Sequence, residues 1–271
     1  MGLFGGSKNS EDLIYEAISL LEQRQPKPAI SLLKKALKND PNNVTALYNQ
    51  GLALNQIKKY QDAITCFDQV LEINPKDAPS YNNRAIALAE TGNIDDALEY
   101  YDKAINADSK YAAAYYNKGV LLDRLLKHDE ALEYLEKAIK IEPKKENPRF
   151  YKGIILGKMA KHELALNCFE NVCRMNRNHL DALFHVGIEF AQLDKHEKAV
   201  QIFDKVLERF GANVNVIYAK SRSKAALNQI DESFSLLREA TKRSKIIKTW
   251  AREEKIFERF FDNPEFEKII K

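Results

Sequence analysis

Cysteine and tryptophan are scarce: three cysteines and a single tryptophan occur in 271 residues. An odd number of cysteines with no metal-ligand spacing provides neither a disulfide framework nor a zinc motif. Cys168 and Cys173 are five apart, so on one helix they point in different directions. Buried, reduced thiols fit a cytoplasmic protein. No apolar run approaches the roughly eighteen residues of a membrane span. The opening MGLFGGSKNS lacks the apolar core of a secretory signal. It also falls one place short of a myristoylation signal, with Gly6 where Ser or Thr is required and Ser7 just after it. Residues 1–9 are therefore read as a flexible leader. The net charge of +3 is too small for this length to make a case for nucleic acid. There is no glycine-rich phosphate loop, nucleophile elbow or two-histidine zinc motif. No catalytic residue, metal or cofactor is assigned, and the chain is read as non-enzymatic.

What is present is a period. Apolar content of 45% and charged content of 30% describe an ordered, soluble protein. Asn49, Asn83 and Asn117 recur thirty-four residues apart, in YNQGLAL, YNNRAIAL and YYNKGVLL. The interval holds without gaps for seven units, 10–43, 44–77, 78–111, 112–145, 146–179, 180–213 and 214–247. The eighth residue of each is small: Ala17, Gly51, Ala85, Gly119, Gly153, Gly187 and Ser221. The twentieth is Ala29, Ala63, Ala97, Ala131, Ala165, Ala199 and Ser233, and the twenty-fourth is Leu33, Phe67, Tyr101, Leu135, Phe169, Phe203 and Leu237.

Each unit reads as two helices. In the fourth, Tyr115, Gly119 and Leu122 follow helical spacing, as do Ala131, Leu135 and Ala138 after a polar break at Lys127–Asp129. Small residues at eight and twenty let the helices approach, and a larger side chain there would overpack the crossing at a cost of about 1–3 kcal/mol. Pro41, Pro75 and Pro143 stop the second helix and start the turn.

On these columns the sequence resembles a tetratricopeptide repeat array over residues 10–247. The family pattern is departed from in three ways: no repeat has Trp at its fourth position, Arg149 stands there in the fifth repeat, and Lys224 replaces the apolar eleventh residue of the seventh. The resemblance implies an all-α, right-handed superhelical solenoid with first helices on its concave side. Residues 248–271 hold Trp250, Phe257 and Phe261 at helical intervals, with a fresh helix start at Asp262-Asn263-Pro264. Two readings stay open for this tail: a cap over the last apolar face, or a helix that docks on another protomer.

By resemblance, positions five, six and nine look into the groove. That places Tyr48, Asn82, Tyr116, Phe150 and Phe184 on its walls, with Asn49, Asn83 and Asn117 as a row of amides. An amide offers an acceptor and two donors, which suits the backbone of an extended peptide. The row is similar to the asparagine ladder in the repeat domain of O-linked N-acetylglucosamine transferases. It is equally accounted for as family background. The family's carboxylate clamp for acidic chaperone tails is excluded, because Tyr48, Leu52, Ala113 and Asn117 stand where its cations and amides belong, and only Asn83 matches.

His128, His162 and His196 form a column in the turns. Equivalent turns of packed helices, about 8–10 Å apart, are too distant to share one zinc, so turn packing is the reading. Basic residues outnumber acidic ones between Lys220 and Arg252, which serves either an acidic partner or a solvated face. The resulting expectation is an adaptor that binds an extended partner segment in the groove. Self-assembly through the aromatic tail, giving a homo-oligomer, is the alternative.

Overall fold

A computed structural model describes residues 9–271. The chain divides into two compact units, at Pro143 and Lys144. The first contains α1 (Ser10–Glu22), α2 (Pro26–Asn39), α3 (Val44–Gln56), α4 (Tyr60–Ile73), α5 (Ala78–Glu90), α6 (Ile94–Ala107), α7 (Ala112–Arg124) and α8 (His128–Ile141). The second contains α9 (Glu146–Lys158), α10 (His162–Met175), α11 (Leu180–Gln192), α12 (His196–Phe210), α13 (Val214–Ala226) and α14 (Ile230–Arg243). It ends in α15 (Ile246–Glu253), a 3-10 segment (Lys255–Phe260) and α16 (Pro264–Ile270). The fold is an all-α helical repeat, with no strand among the described residues. The acylation and leader readings at residues 1–8 lie outside the described residues. Asn9, assigned to the leader by sequence, instead caps α1, its Oδ1 accepting from Asp12 N at 2.7 Å.

Local signals explain the element ends. The residue before each odd-numbered helix through α13 is its cap, and four caps besides Asn9 accept a backbone N–H: Asn43 from Ala46, Asp77 from Ser80, His179 from Ala182 and Asn213 from Val216. Such a side-chain cap contributes about 1 kcal/mol. Pro41, Pro75 and Pro143 each stand two residues beyond the last helical residue of α2, α4 and α8, where a helix cannot continue.

Between the helices of each pair the chain reverses through one left-handed residue: Arg24, Lys58, Gly92, Leu126, Ala160, Asp194 and Asn228, with φ between 55° and 86°. The next N–H then reaches back to close the first helix, as Lys59 does to Leu54 O at 2.9 Å and Lys127 to Leu122 O at 2.9 Å. A left-handed L-residue costs about 1–2 kcal/mol, whereas glycine occupies that region freely. Leu126 is 78% exposed, so its side chain contributes little packing to offset the strain. Leu126→Gly should raise stability by about 0.5–1 kcal/mol once glycine's greater chain entropy is subtracted. Gly92→Ala, with open space around the site, should lower stability by about 1 kcal/mol. Urea midpoints test the pair, and a glycine at 126 that destabilises the protein would refute the strain argument.

Packing follows the columns. The alanines at the twentieth position, Ala29 through Ala199, are all 0% exposed, and Phe67, Phe169 and Phe203 are fully buried against them. In the seventh pair serines replace both small residues. They satisfy each other: Ser221 Oγ donates to Ser233 O at 2.8 Å and Ser233 Oγ to Ser221 O at 2.9 Å. A buried hydroxyl pair bonded in this way leaves no desolvated group unpaired. The other departures are also accommodated, since Lys224 Nζ meets Glu232 at 2.8 Å and Arg149 Nη1 reaches Met175 Sδ at 3.2 Å. Neighbouring pairs are pinned by a recurring bridge, Arg84–Asp68, Lys118–Asp102 and Lys220–Asp204, each 2.5 Å long.

Candidate functional site

Within the first unit α1, α3, α5 and α7 touch one another in succession, and within the second α11 touches α13. First helices therefore run side by side along one face of each unit, the face expected from the family to be the inner one. Leu52, Ile86 and Val120 in the first unit, and Ile154 and Ile188 in the second, are half-buried there. So are Tyr48, Tyr116, Phe150 and Phe184. Burial pushes the Tyr48 phenol up to about 12, with Tyr111 and Asp77 adding to it and the bond from Asn83 opposing, and burial also raises Tyr116. Both phenols are neutral hydrogen-bonding groups throughout the physiological range.

The three asparagines have three different settings despite their equal spacing. Asn49 Nδ2 donates to Thr45 O at 2.8 Å, one turn back on its own helix. Asn83 Nδ2 donates to Pro79 O at 2.8 Å and to the Tyr48 hydroxyl at 3.0 Å, tying α5 to α3. Asn117 Nδ2 donates to Asn82 Oδ1 at 2.8 Å, tying α7 to α5. Asn82, expected on the groove wall, is 3% exposed and serves as a strut behind the surface, because its oxygen is committed to Asn117. The donor ends of the amides are thus engaged by the chain. The side-chain oxygens of Asn49, Asn83 and Asn117 accept no bond from the described residues, which leaves a row of acceptors. Tyr48 and Asn49 also line a hollow of about 220 Å³ with Val44, Thr45, Asp77 and Pro79.

In the second unit the inner wall is a stack of rings. His185, at the repeat position where the first unit has asparagines, lies flat on Phe169 (4.9 Å, 17°) and edge-on to Phe150 and Phe184. His179 stacks on Phe150 at 5.1 Å. Burial holds His185 below the ordinary histidine range, with Asp181 opposing. The unfolded chain therefore takes up this proton at higher pH than the folded one, and His185 subtracts from stability as pH falls below about 6.5. Wild type should lose more melting temperature between pH 7.5 and 5.5 than His185→Phe. Glu189, whose carboxyl burial raises against the pull of His162, is common to both proteins and cancels in the comparison. Equal losses would exclude His185 as the source.

A larger cleft, about 560 Å³, opens at the end of this wall among α11, α13 and the 3-10 segment. Ile188, Ala191, Phe203 and Ala219 form its apolar floor, and Arg222, Glu254 and Arg259 part of its rim. Arg222 holds Glu254 through Nε at 2.8 Å and Nη2 at 3.0 Å. Ile188 and Arg222 stand at the ninth position of their repeats, one of the positions expected by resemblance to face the groove, as do Leu52, Ile86, Val120 and Ile154, whereas Glu254 and the tail wall were missed. The available signal was Arg222 itself, a cation ending an otherwise aliphatic column.

The histidine column opens α8, α10 and α12, and each member faces an acid: His128 with Asp123 at 2.9 Å, His162 with Glu189 at 2.8 Å and His196 with Asp194 at 3.7 Å. Among the described residues no group of His, Cys, Asp and Glu converges as a metal site, and no helix is long and apolar enough to cross a membrane.

Two family models described as tetratricopeptide repeat match residues 16–78 and 76–144. No curated protein matches the chain. Among solved structures, a tetratricopeptide repeat protein from Parabacteroides merdae is 19% identical with a TM-score of 0.61, over 89% of this chain and 96% of that one. PilF of Pseudomonas aeruginosa is 21% identical with a TM-score of 0.66, over 80% and 96% respectively. YrrB, described as a repeat protein with an unusual peptide-binding site, is 25% identical with a TM-score of 0.59, over 69% of this chain and 98% of its own.

Proposed function

Because the chain is a tetratricopeptide repeat protein, we propose that it is a non-enzymatic scaffold whose inner helical face binds an extended segment of a partner protein. Proteins of this family generally mediate protein–protein interaction, and YrrB has a peptide-binding site. The observation that carries the reading is the row of open amide oxygens beside half-buried Tyr48 and Tyr116. Oxygens fixed by their own engaged N–H groups are suited to receive peptide N–H donors without regard to side chain. The rings and the aliphatic column then take selected side chains, as in other helical grooves. A cytoplasmic location accords with three cysteines that form no disulfide.

Selection from a random twelve-residue peptide library tests this reading. Binders should weaken by about tenfold or more with Tyr116→Ala or Asn49→Ala, as expected for truncation of a groove anchor, and be indifferent to Lys35→Ala on α2. Binders indifferent to every inner-face change would sink it. Asn117→Ala is a poorer probe, since it strands the buried Asn82 oxygen at about 1–3 kcal/mol.

Ile246, Trp250 and Phe261 are 50%, 39% and 39% exposed on the tail, which favours self-assembly as a second reading. Light scattering over a dilution series separates the two, because the scaffold reading expects a monomer at every concentration.

A further inference from the structure

The charged residues of this chain are almost balanced, 42 basic against 39 acidic, and most inner cations have an acid. One region breaks that balance. A cleft of about 440 Å³ between α14, α15 and α16 is lined by Arg238, Lys242, Lys245, Lys248 and Lys268. Its sole lining carboxylate, Glu265, is already bound to Arg238. Four lysines thus line one cleft with no carboxylate partner among the described residues. Thr241 and Ile269 complete the lining.

Elementary electrostatics does not favour this arrangement in the protein alone. Lys242 sits in the last turn of α14 and Lys268 in that of α16, where the helix dipole welcomes a cation. Lys245 and Lys248 stand at the cap and first turn of α15, the end where the dipole repels one. Lys268 reaches the same cleft from a different helix, so the cluster is made by the tail packing on α14 and cannot be read as one solvated helix face. Like charges lining one cleft without an acid repel one another, and an anionic ligand relieves that repulsion.

We propose that this cleft is a second binding site, separate from the inner face, that takes an acidic segment of a partner protein. A concave cleft surrounded by four lysines matches several carboxylates brought close together on one strand. It shares no lining residue with the inner-face cleft, so one chain can hold an extended segment and an acidic segment at the same time.

The test uses the full chain and a fluorescein-labelled octaglutamate peptide, read by anisotropy at about 50 mM salt and again at about 300 mM, where screening shortens the reach of exposed charges. Octaglutamate should bind, octaglutamine should not, and the higher salt should weaken the complex. Lys245→Glu with Lys268→Glu should reduce affinity by about tenfold or more, since reversed charges in a binding patch repel the ligand. Lys245→Arg with Lys268→Arg should retain it. Lys35→Glu with Lys38→Glu, two exposed lysines on α2, makes the same change in net charge and should leave binding intact. Tyr116→Ala should also leave it intact, so that failure here is distinct from failure of the inner-face reading. The proposal is overturned if both reversals weaken binding equally, if octaglutamine binds as well as octaglutamate, or if phosphatidylserine vesicles bind while octaglutamate does not. Far-UV circular dichroism checks that each variant is folded.

Discussion

Gly187→Ala should destabilise the second unit by about 1–3 kcal/mol, the usual cost of overpacking a filled crossing. An alanine methyl at that position would lie 2.5 Å from Phe203 Cε1, and the same clash arises between Gly51 and Phe67 (2.6 Å) and between Gly153 and Phe169 (2.8 Å). These rings are fully buried, so a ring that moves aside must displace its packed neighbours. Where the partner is leucine the contact is less close, since a methyl at Gly119 would meet Ala131 O and Leu135 Cγ each at 3.1 Å, and Ala17 packs opposite Leu33 without exposure. Each of the three phenylalanines at the twenty-fourth position thus faces a glycine at the eighth, whereas Ala85 is accommodated with Tyr101 in the third repeat. Gly187→Ala combined with Phe203→Leu should cost less than the sum of the two single changes, with an interaction of about 0.5–3 kcal/mol, as for residues in direct contact. Urea unfolding of the four proteins measures the cycle. Strict additivity, or a Gly187→Ala variant as stable as wild type, would show that the crossing relaxes and that glycine is not required there.

The repeat register was legible because a steric constraint recurs at a fixed interval: two helices that cross closely need small residues at the crossing, whatever surrounds them. The helix starts at Val44, Ala78, Ala112, Glu146, Leu180 and Val214 follow from that interval. The left-handed turns were not legible. Gly92 is the sole glycine in the column, and elsewhere the hydrogen bonds that close the first helix override the preference of Lys58 or Leu126. The asparagines were visible as a row, but their partners were not, since Tyr48 meets Asn83 across thirty-five residues, and Asn82 meets Asn117 likewise. Equal spacing in sequence fixes equal placement of the backbone and leaves open what each side chain finds there. The tail shows the same limit. Of the three aromatic residues singled out by spacing, Phe257 is fully buried while Trp250 and Phe261 are each 39% exposed. Phe266, which helical spacing did not indicate, goes inside because Asn263 caps α16 and turns that face toward α14.

Phe266→Ala should cost about 3–5 kcal/mol, the range for removing a phenylalanine from a packed core. Phe266 is 0% exposed and packs on Phe257 at 5.5 Å and Phe234 at 5.6 Å, while Phe260 meets Phe234 edge-on at 5.3 Å. Ile217, Leu237 and Ala240 of the last helix pair are buried in the same cluster. Without the tail these side chains would face water, and a repeat stack with an open apolar end loses solubility. Polar anchors reinforce the seal, Arg259 donating to Ala225 O and Arg222 holding Glu254. Trp250, the sole tryptophan, lies 5.9 Å from Tyr218 and reports on this end alone. In Phe266→Ala its fluorescence transition should move to lower urea and separate from the far-UV signal, as expected when nearest-neighbour coupling in a repeat array is weakened. Removal of residues 248–271 should give a protein that aggregates or melts earlier. A truncated chain that stays monomeric with an unchanged melting temperature would refute the capping role. If the tail instead served a second copy, Phe266→Ala would alter the dependence of stability on concentration and leave the dilute protein untouched. The burial of Phe257 and Phe266 against their own chain argues for the first outcome.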